Sequence, residues 1–196
     1  MGLDAPKVEE TAVNIFNIPN MLSLSRIFAV PVFIVLLLDP SPIRALAAGI
    51  VFSLASITDW LDGYLARKWG QVTRAGKLLD PIADKILIMS ALVILVELRS
   101  DVVHAWMAIV LIGREFAVTG LRAIASSEGV VIPAETAGKW KVGAQITAVL
   151  SLLLDYYMTR EWMRDLGSVA LWAAMILAIY SAIGYFKAFW KTVPNK

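Results

Sequence analysis

The sequence predicts an all-α integral membrane protein of six transmembrane helices, preceded by a short interfacial segment. Two observations predict it. The chain is 59% hydrophobic and only 17% charged, with a mean hydropathy of +0.71, well to the apolar side of a soluble domain. Its apolar residues also fall in blocks of about 20, the length that spans a bilayer core. At 196 residues, six such blocks leave little room for a second, aqueous domain.

Residues 1–14 read as a polar extension and 15–196 as one transmembrane domain, with no internal repeat or low-complexity tract. Ile15 to Asn20 mixes Ile15, Phe16 and Ile18 with Asn17 and Pro19 and is expected in the interface. The first span is predicted over 21–38. Asp39-Pro-Ser-Pro then makes a turn, because neither proline continues a helix. The second span covers 43–67, and 68–79 reads as a basic loop. Asp80-Pro81 opens the third span, with aspartate as N-cap and proline in the first turn; it ends near residue 98. The fourth covers 103–125, a polar loop 126–138, the fifth 140–158 and the sixth 168–190.

Six spans put both termini on one side. That side collects Lys7, Arg67, Lys68, Arg74, Lys77, Arg122, Lys139, Lys141, Lys187, Lys191 and Lys196, against Arg44, Arg99, Arg160 and Arg164 opposite. The positive-inside rule makes the first side cytoplasmic. The N-terminus carries Asp4, Glu9 and Glu10 and lacks the basic start and small-residue cleavage site of a removable signal.

No cysteine is present, so disulfides and thiolate metal sites are excluded. One histidine, His104, excludes a multi-histidine site. Oxygen donors remain, and these suit Mg²⁺ or Mn²⁺.

Asp59, Asp62, Asp80 and Asp84 lie at the edges of the second and third apolar blocks. An ionised carboxylate near hydrocarbon is costly without compensation, and four close together repel one another. Divalent cations are the simplest compensation. Asp59 and Asp62 share a helix face, as do Asp80 and Asp84. Gly63 and Ala66 leave the first of these faces bare, and Arg67 follows with a planar fork suited to phosphate. Taken singly, Asp80 could merely cap a helix, and Asp59 or Asp62 could pair with Arg67 or Lys85. All four in register with two small residues and an arginine point instead to a site holding two metals.

The residues read Asp59-x-x-Asp62-Gly63-x-x-Ala66-Arg67, then eight residues, then Gly76-x-x-x-Asp80-x-x-x-Asp84. This resembles the signature of the CDP-alcohol phosphotransferase family at every constrained position. The resemblance implies six membrane helices, often in a homodimer, in a bacterial cytoplasmic membrane with the active site facing the cytoplasm. It implies transfer of the phosphoalcohol part of a CDP-alcohol to an acceptor hydroxyl, with release of CMP and no nucleic-acid partner. It implies two Mg²⁺ or Mn²⁺ ions held by Asp59, Asp62, Asp80 and Asp84, with Asp84 also the general base. Asp62, Gly63, Ala66, Arg67 and Gly76 would receive the CDP part. The base assignment agrees with chemistry, since Asp84 lies deepest along its helix, where its pKa is most readily raised.

Two further segments, Asn17-Ile-Pro-Asn-Met-Leu-Ser-Leu-Ser-Arg26 and Gly113-Arg-Glu-Phe-Ala-Val-Thr-Gly-Leu-Arg122, resemble the branch of the family that uses glycerol 3-phosphate. CDP-diacylglycerol would then give its phosphatidyl group to the 1-hydroxyl of sn-glycerol 3-phosphate. A small anionic acceptor needs cations. Arg114 and Arg122 are two turns apart on one face, Lys139 and Lys141 open the next span, and Glu115 could orient an arginine. Lys139 and Lys141 also fit ordinary positive-inside flanking. Arg26, just inside the first span, raises the same question as Arg114, because a buried guanidinium needs a partner.

Gly113, Gly120, Gly143 and Gly184 read as helix-packing positions, the tryptophans mostly as interfacial anchors, and His104 as a wetted interfacial residue. A cardiolipin synthase or phosphatidylinositol-phosphate synthase of the same family is the nearest alternative, and the Gly113–Arg122 segment disfavours both. A divalent-cation transporter would place its carboxylates at mid-membrane, whereas these lie near the cytoplasmic ends. A membrane scaffold would tolerate loss of Asp80 or Asp84.

Overall fold

The computed structural model describes the backbone at residues 18–69, 74–130 and 136–192, and the side chains there except at 18–20, 22–23, 59–69, 74–84, 136–137 and 192. The predicted extension 1–14 lies outside the described residues. The described chain is all-helical: α1 (Ile18–Leu38), α2 (Pro42–Trp69), α3 (Arg74–Leu98), α4 (Ala105–Ser127), α5 (Thr136–Met158) and α6 (Glu161–Thr192). The most extensive packing among the described residues is between α5 and α6. The α1 helix packs on both α2 and α3, α2 on α5, and α4 on α6 and α3.

Most helix ends follow the local chemistry. Ser41 accepts from the Arg44 N–H at 3.3 Å and so caps α2, whose first residue is Pro42, a proline where no N–H is needed. The Arg44 guanidinium donates to the Asp39 carbonyl at 2.7 Å and closes the turn. At the end of α4, the Val130 N–H donates to the Ala125 carbonyl at 2.9 Å and Gly129 takes φ +75°. That is a Schellman stop, in which glycine alone enters the left-handed region without strain. Val130 then packs on the small cluster of Val118, Ala125 and Tyr185.

Four boundaries differ from those the sequence predicts. The α1 helix begins at Ile18 and so absorbs part of the interfacial segment; Pro19, in its first turn, is compatible with that. The α3 helix begins at Arg74, so Lys68, Arg74 and Lys77 of the expected basic loop fall in helices, and Asp80-Pro81 lies inside a helix instead of at its start. Arg74, Ala75, Lys77, Leu78 and Leu79 are strong helix formers, and a proline is tolerated inside a membrane helix where neighbours re-satisfy the freed carbonyl. The α5 helix starts at Thr136 and α6 at Glu161. The first turns of α6 are too charged to read as a span, but Glu161 suits the positive N-terminal end of a helix.

The core holds Phe33, Phe52, Leu92, Leu111, Leu152 and Leu171, all essentially inaccessible. Phe33 and Phe52 meet with ring centroids 5.8 Å apart across α1 and α2. Ala45, Ala48, Ala91, Ala148, Ala174 and Ala178 are also buried. Small residues let helices approach closely, which matters where lipid removes the hydrophobic drive between them. The glycines expected at close crossings are elsewhere: a Cβ on Gly113, Gly120 or Gly143 would meet nothing within 4 Å. The close crossing is at Gly167, where a Cβ would stand 2.7 Å from Leu152 Cγ and 3.4 Å from the Ala148 carbonyl oxygen.

Outside the core, Val35, Ile43, Ile109, Phe116, Val169 and Ile176 point away from the protein. Apolar surface on that scale is unusual for a soluble monomer and natural in lipid. Glu161–Lys191 is long and apolar enough to cross a membrane, and Leu24–Leu38 and Pro42–Thr58 are shorter apolar stretches.

At the end of the bundle where α3 passes to α4 and α5 to α6, Arg99 ties three segments together. Its guanidinium donates to both oxygens of Asp101 at 3.1 Å and to the buried Asp155 on α5. Burial works against the Arg99 charge, but these hydrogen bonds outweigh it and raise its pKa. In turn, Arg99 holds the Asp101 carboxyl below its usual range. Asp155 also accepts, through its carbonyl, from Thr159 at 2.7 Å, and Thr159 sits at φ 51°, a strained conformation for a β-branched residue.

Candidate active site

The aspartate motif is carried by two helices joined through four residues, so their ends stand within about 18 Å. Asp59 lies about ten residues before the end of α2, and Asp84 about ten after the start of α3. Both are therefore about 15 Å along their helices from the connection. Asp62 and Asp80 sit closer to it, at matching depths. With Asp80 inside a helix, the helix-capping explanation for it disappears. Asp80 and Asp84 remain four apart on one face. The side chains of Asp59, Asp62, Ala66, Arg67, Asp80 and Asp84, with Gly63 and Gly76, lie outside the described residues.

Directly after Asp84, the described side chains resume with Lys85, which lies on the wall of a cleft between α3, α4 and α5. Lys85, Glu115, Lys141 and Gln145 are its polar lining. Leu92, Leu111 and Ile112 close it on the far side. The cleft exists because α4 leans on α6 and α3 and not on α5 among the described residues.

A charged chain links the walls. The Lys141 ammonium and the Arg114 guanidinium both donate to one oxygen of Glu115, the latter at 2.8 Å. Arg114 also donates to the Ala178 carbonyl at 3.1 Å and to Ser181 Oγ on α6. Ser181 is inaccessible, Lys141 is 4% exposed, and the Arg114 side chain is 9% exposed. Among the described residues, one carboxylate stands between two cations here, an arrangement whose local field favours an anion. A buried charge pair of this kind is stable only because each partner is hydrogen-bonded. On the opposite wall, the Lys85 ammonium donates to Thr119 Oγ1, which itself donates to the Glu115 carbonyl at 2.7 Å.

Of the four cations expected for the acceptor, the structure brings Arg114 and Lys141 together around Glu115. Arg122 and Lys139 are exposed and outside this network. Arg26 is buried in α1, 1% exposed. Sequence reasoning passed over Lys85 as a site residue, although it follows Asp84 directly. It also passed over Gln145, a polar side chain one turn beyond Lys141 in an otherwise apolar span, and that spacing was the available signal.

Comparison with known proteins adds the family. The profile of the CDP-alcohol phosphatidyltransferase family matches residues 16–180. A protein of Bacillus subtilis (strain 168) named CDP-diacylglycerol–glycerol-3-phosphate 3-phosphatidyltransferase is 42% identical over 192 residues, covering 92% of this chain and 98% of its own. Proteins of the same name from Rickettsia bellii and Haemophilus influenzae are 40% and 38% identical, each over 88% of this chain and 94% and 92% of their own. With a matching profile over most of its length and the aspartate pairs at equal depth on adjoining helices, the chain belongs to the CDP-alcohol phosphatidyltransferase family.

Proposed function

We propose that the protein is a CDP-diacylglycerol–glycerol-3-phosphate 3-phosphatidyltransferase, an enzyme of phospholipid synthesis. The observation that carries this reading is the near full-length similarity to relatives of that name. Lys85, which follows Asp84 on α3, and Lys141, which lines the same cleft from α5, support it, because cations there suit an anionic acceptor.

In this reading, the 1-hydroxyl oxygen of sn-glycerol 3-phosphate attacks the phosphorus that bears diacylglycerol. The bond from that phosphorus to the bridging diphosphate oxygen breaks, and CMP leaves with that oxygen. The hydroxyl proton passes to the Asp84 carboxylate, the general base. Asp62, Gly63, Ala66, Arg67 and Gly76 receive the CDP part, where two small residues admit the nucleotide and Arg67 meets the diphosphate. Arg114, Arg122, Lys139 and Lys141 attract and hold the acceptor phosphate. Arg114 is oriented for this by its bonds to α6.

Four carboxylates at matched depth on two joined helices form an all-oxygen donor set, which fits two Mg²⁺ or Mn²⁺ ions. Held by Asp59, Asp62, Asp80 and Asp84, such ions would neutralise charge developing on the diphosphate. Six membrane spans, a cytoplasmic active site and cytoplasmic termini, a homodimer and a bacterial inner-membrane location complete the reading. The apolar exterior and the basic flanks support it.

The test is release of CMP by purified protein with CDP-diacylglycerol and Mg²⁺, across glycerol 3-phosphate, inositol phosphate, phosphatidylglycerol and serine. Release with glycerol 3-phosphate alone is expected. Preference for phosphatidylglycerol or inositol phosphate would move the protein to another branch of the family, and no release with any acceptor would end the enzyme reading.

A further inference from the structure

Gln145 is 2% exposed and lines the cleft between α3, α4 and α5. Its carboxamide makes no hydrogen bond with any described residue, whereas the charged groups around it do. Lys141 reaches Glu115, Lys85 reaches Thr119, and Arg114 reaches Ser181. A buried amide without a partner is costly in a membrane interior, so a polar occupant of the cleft would relieve that cost. The group that would do so is constrained. An anionic phosphate is served by Lys141, one turn nearer the start of α5, with Arg114 donating to the same Glu115 oxygen beside it. The carboxamide carries both a donor and an acceptor, which matches an alcohol, itself both. The side chain stands about 6 Å farther along α5 than Lys141, comparable to the length of a three-carbon phosphate. Below it the cleft offers only Leu92, Leu111 and their apolar neighbours, so no other side chain there competes for a hydroxyl.

We propose that Gln145 recognises the acceptor, its carboxamide hydrogen-bonding the non-reacting 2-hydroxyl of glycerol 3-phosphate while Lys141 and Arg114 hold the phosphate. The assignment rests on the acceptor reading above. It makes Gln145 a specificity residue: it reads the hydroxyl that does not react and so helps present the one that does.

The experiment pairs a variant with an acceptor analogue. Glycerol 3-phosphate is compared with 3-hydroxypropyl phosphate, which keeps the primary hydroxyl and lacks the 2-hydroxyl. CMP release is measured for the full-length protein and for Gln145→Leu. The unmodified protein is expected to favour glycerol 3-phosphate by roughly tenfold in kcat/KM, the scale of one hydrogen bond to a buried polar group. Gln145→Leu is expected to lose that preference to within about twofold, with KM for CDP-diacylglycerol unchanged. Gln145→Met, unbranched and of similar length, gives the same reading if Gln145→Leu is not recovered folded. A preference retained in the variant overturns the assignment, and so does its absence from the unmodified protein. No CMP release from the unmodified protein with either compound would instead defeat the acceptor reading itself, and this assignment with it.

Discussion

Replacing Gly167 by alanine sets two opposed terms against each other. The first is intrinsic: alanine in place of glycine inside a helix favours folding by about 1 kcal/mol. The second is steric. The new Cβ would stand 2.7 Å from Leu152 Cγ and 2.8 Å from Cδ2, with the Ala148 carbonyl oxygen, one turn earlier on α5, at 3.4 Å. Leu152 is inaccessible, so it has no empty space to turn into, and the backbone oxygen of Ala148 keeps the new methyl from sliding along α5 away from it. Overpacking of this kind costs about 1–3 kcal/mol. The steric term should exceed the intrinsic one, for a net loss of about 1 kcal/mol and up to about 2. For a chain of this size that lowers the thermal midpoint by roughly 2–8 °C. The assay is thermal unfolding of purified protein in detergent, with Gly143→Ala as control, because a Cβ there meets nothing within 4 Å. The control should be neutral or slightly stabilising. Combining Gly167→Ala with Leu152→Ala should cost less than the two singly, since truncating Leu152 vacates the space the new methyl needs. A Gly167→Ala protein as stable as the unmodified one, or strictly additive losses in the pair, would refute the close crossing between α5 and α6.

Asp80→Asn and Asp84→Asn should each abolish CMP release while leaving folded protein in the membrane, because neither residue caps a helix; activity kept in Asp84→Asn would remove it as base. Glu115→Gln should weaken the charged chain, leaving Lys141 and Arg114 without their shared anion; loss of stability by about 2–4 kcal/mol is expected, and an unchanged thermal midpoint with unchanged acceptor KM would contradict it. Arg99→Leu should destabilise by roughly 3 kcal/mol, because it leaves the buried Asp155 carboxylate uncompensated, yet kcat should hold where protein remains folded, since Arg99 lies at the opposite end of the bundle from the aspartates. The Asp101 carboxyl is held below its usual range, so the contribution of its pair with Arg99 is complete above the ordinary carboxylate pKa and is lost as pH falls through the lowered value. The thermal midpoint should accordingly be flat from pH 7 to about pH 5 and fall below about pH 4, and a decline already complete at pH 5 would rule this pair out as its cause.

The parts of this molecule legible in the sequence are those with one-dimensional causes. Six helices follow from block length, and the turn at Asp39-Pro-Ser-Pro from the missing N–H of proline. Gly129 stops α4 because only glycine takes its φ without strain. The aspartate pairs follow from helical register. Asp80-Pro81 misled because the same dipeptide starts a helix in water and is carried inside one in a membrane, and local sequence does not distinguish these surroundings. Gly113, Gly120 and Gly143 misled for a related reason: a glycine on a helix is compatible with close packing, but which glycine packs depends on which face meets a neighbour. That is decided by α5 lying against α6, a long-range fact that selects Gly167. The cleft is of the same kind. Lys85, Glu115, Lys141 and Gln145 come from three helices, and no spacing along the chain relates them. One local trace did exist, the four-residue step from Lys141 to Gln145, with polar side chains repeating at one helical turn in an apolar span. A membrane helix retains such a pair only where something polar meets it. Lys141 meets Glu115. By the same reasoning Gln145, which meets no described protein group, is the position on α5 where a substrate has the most to contribute.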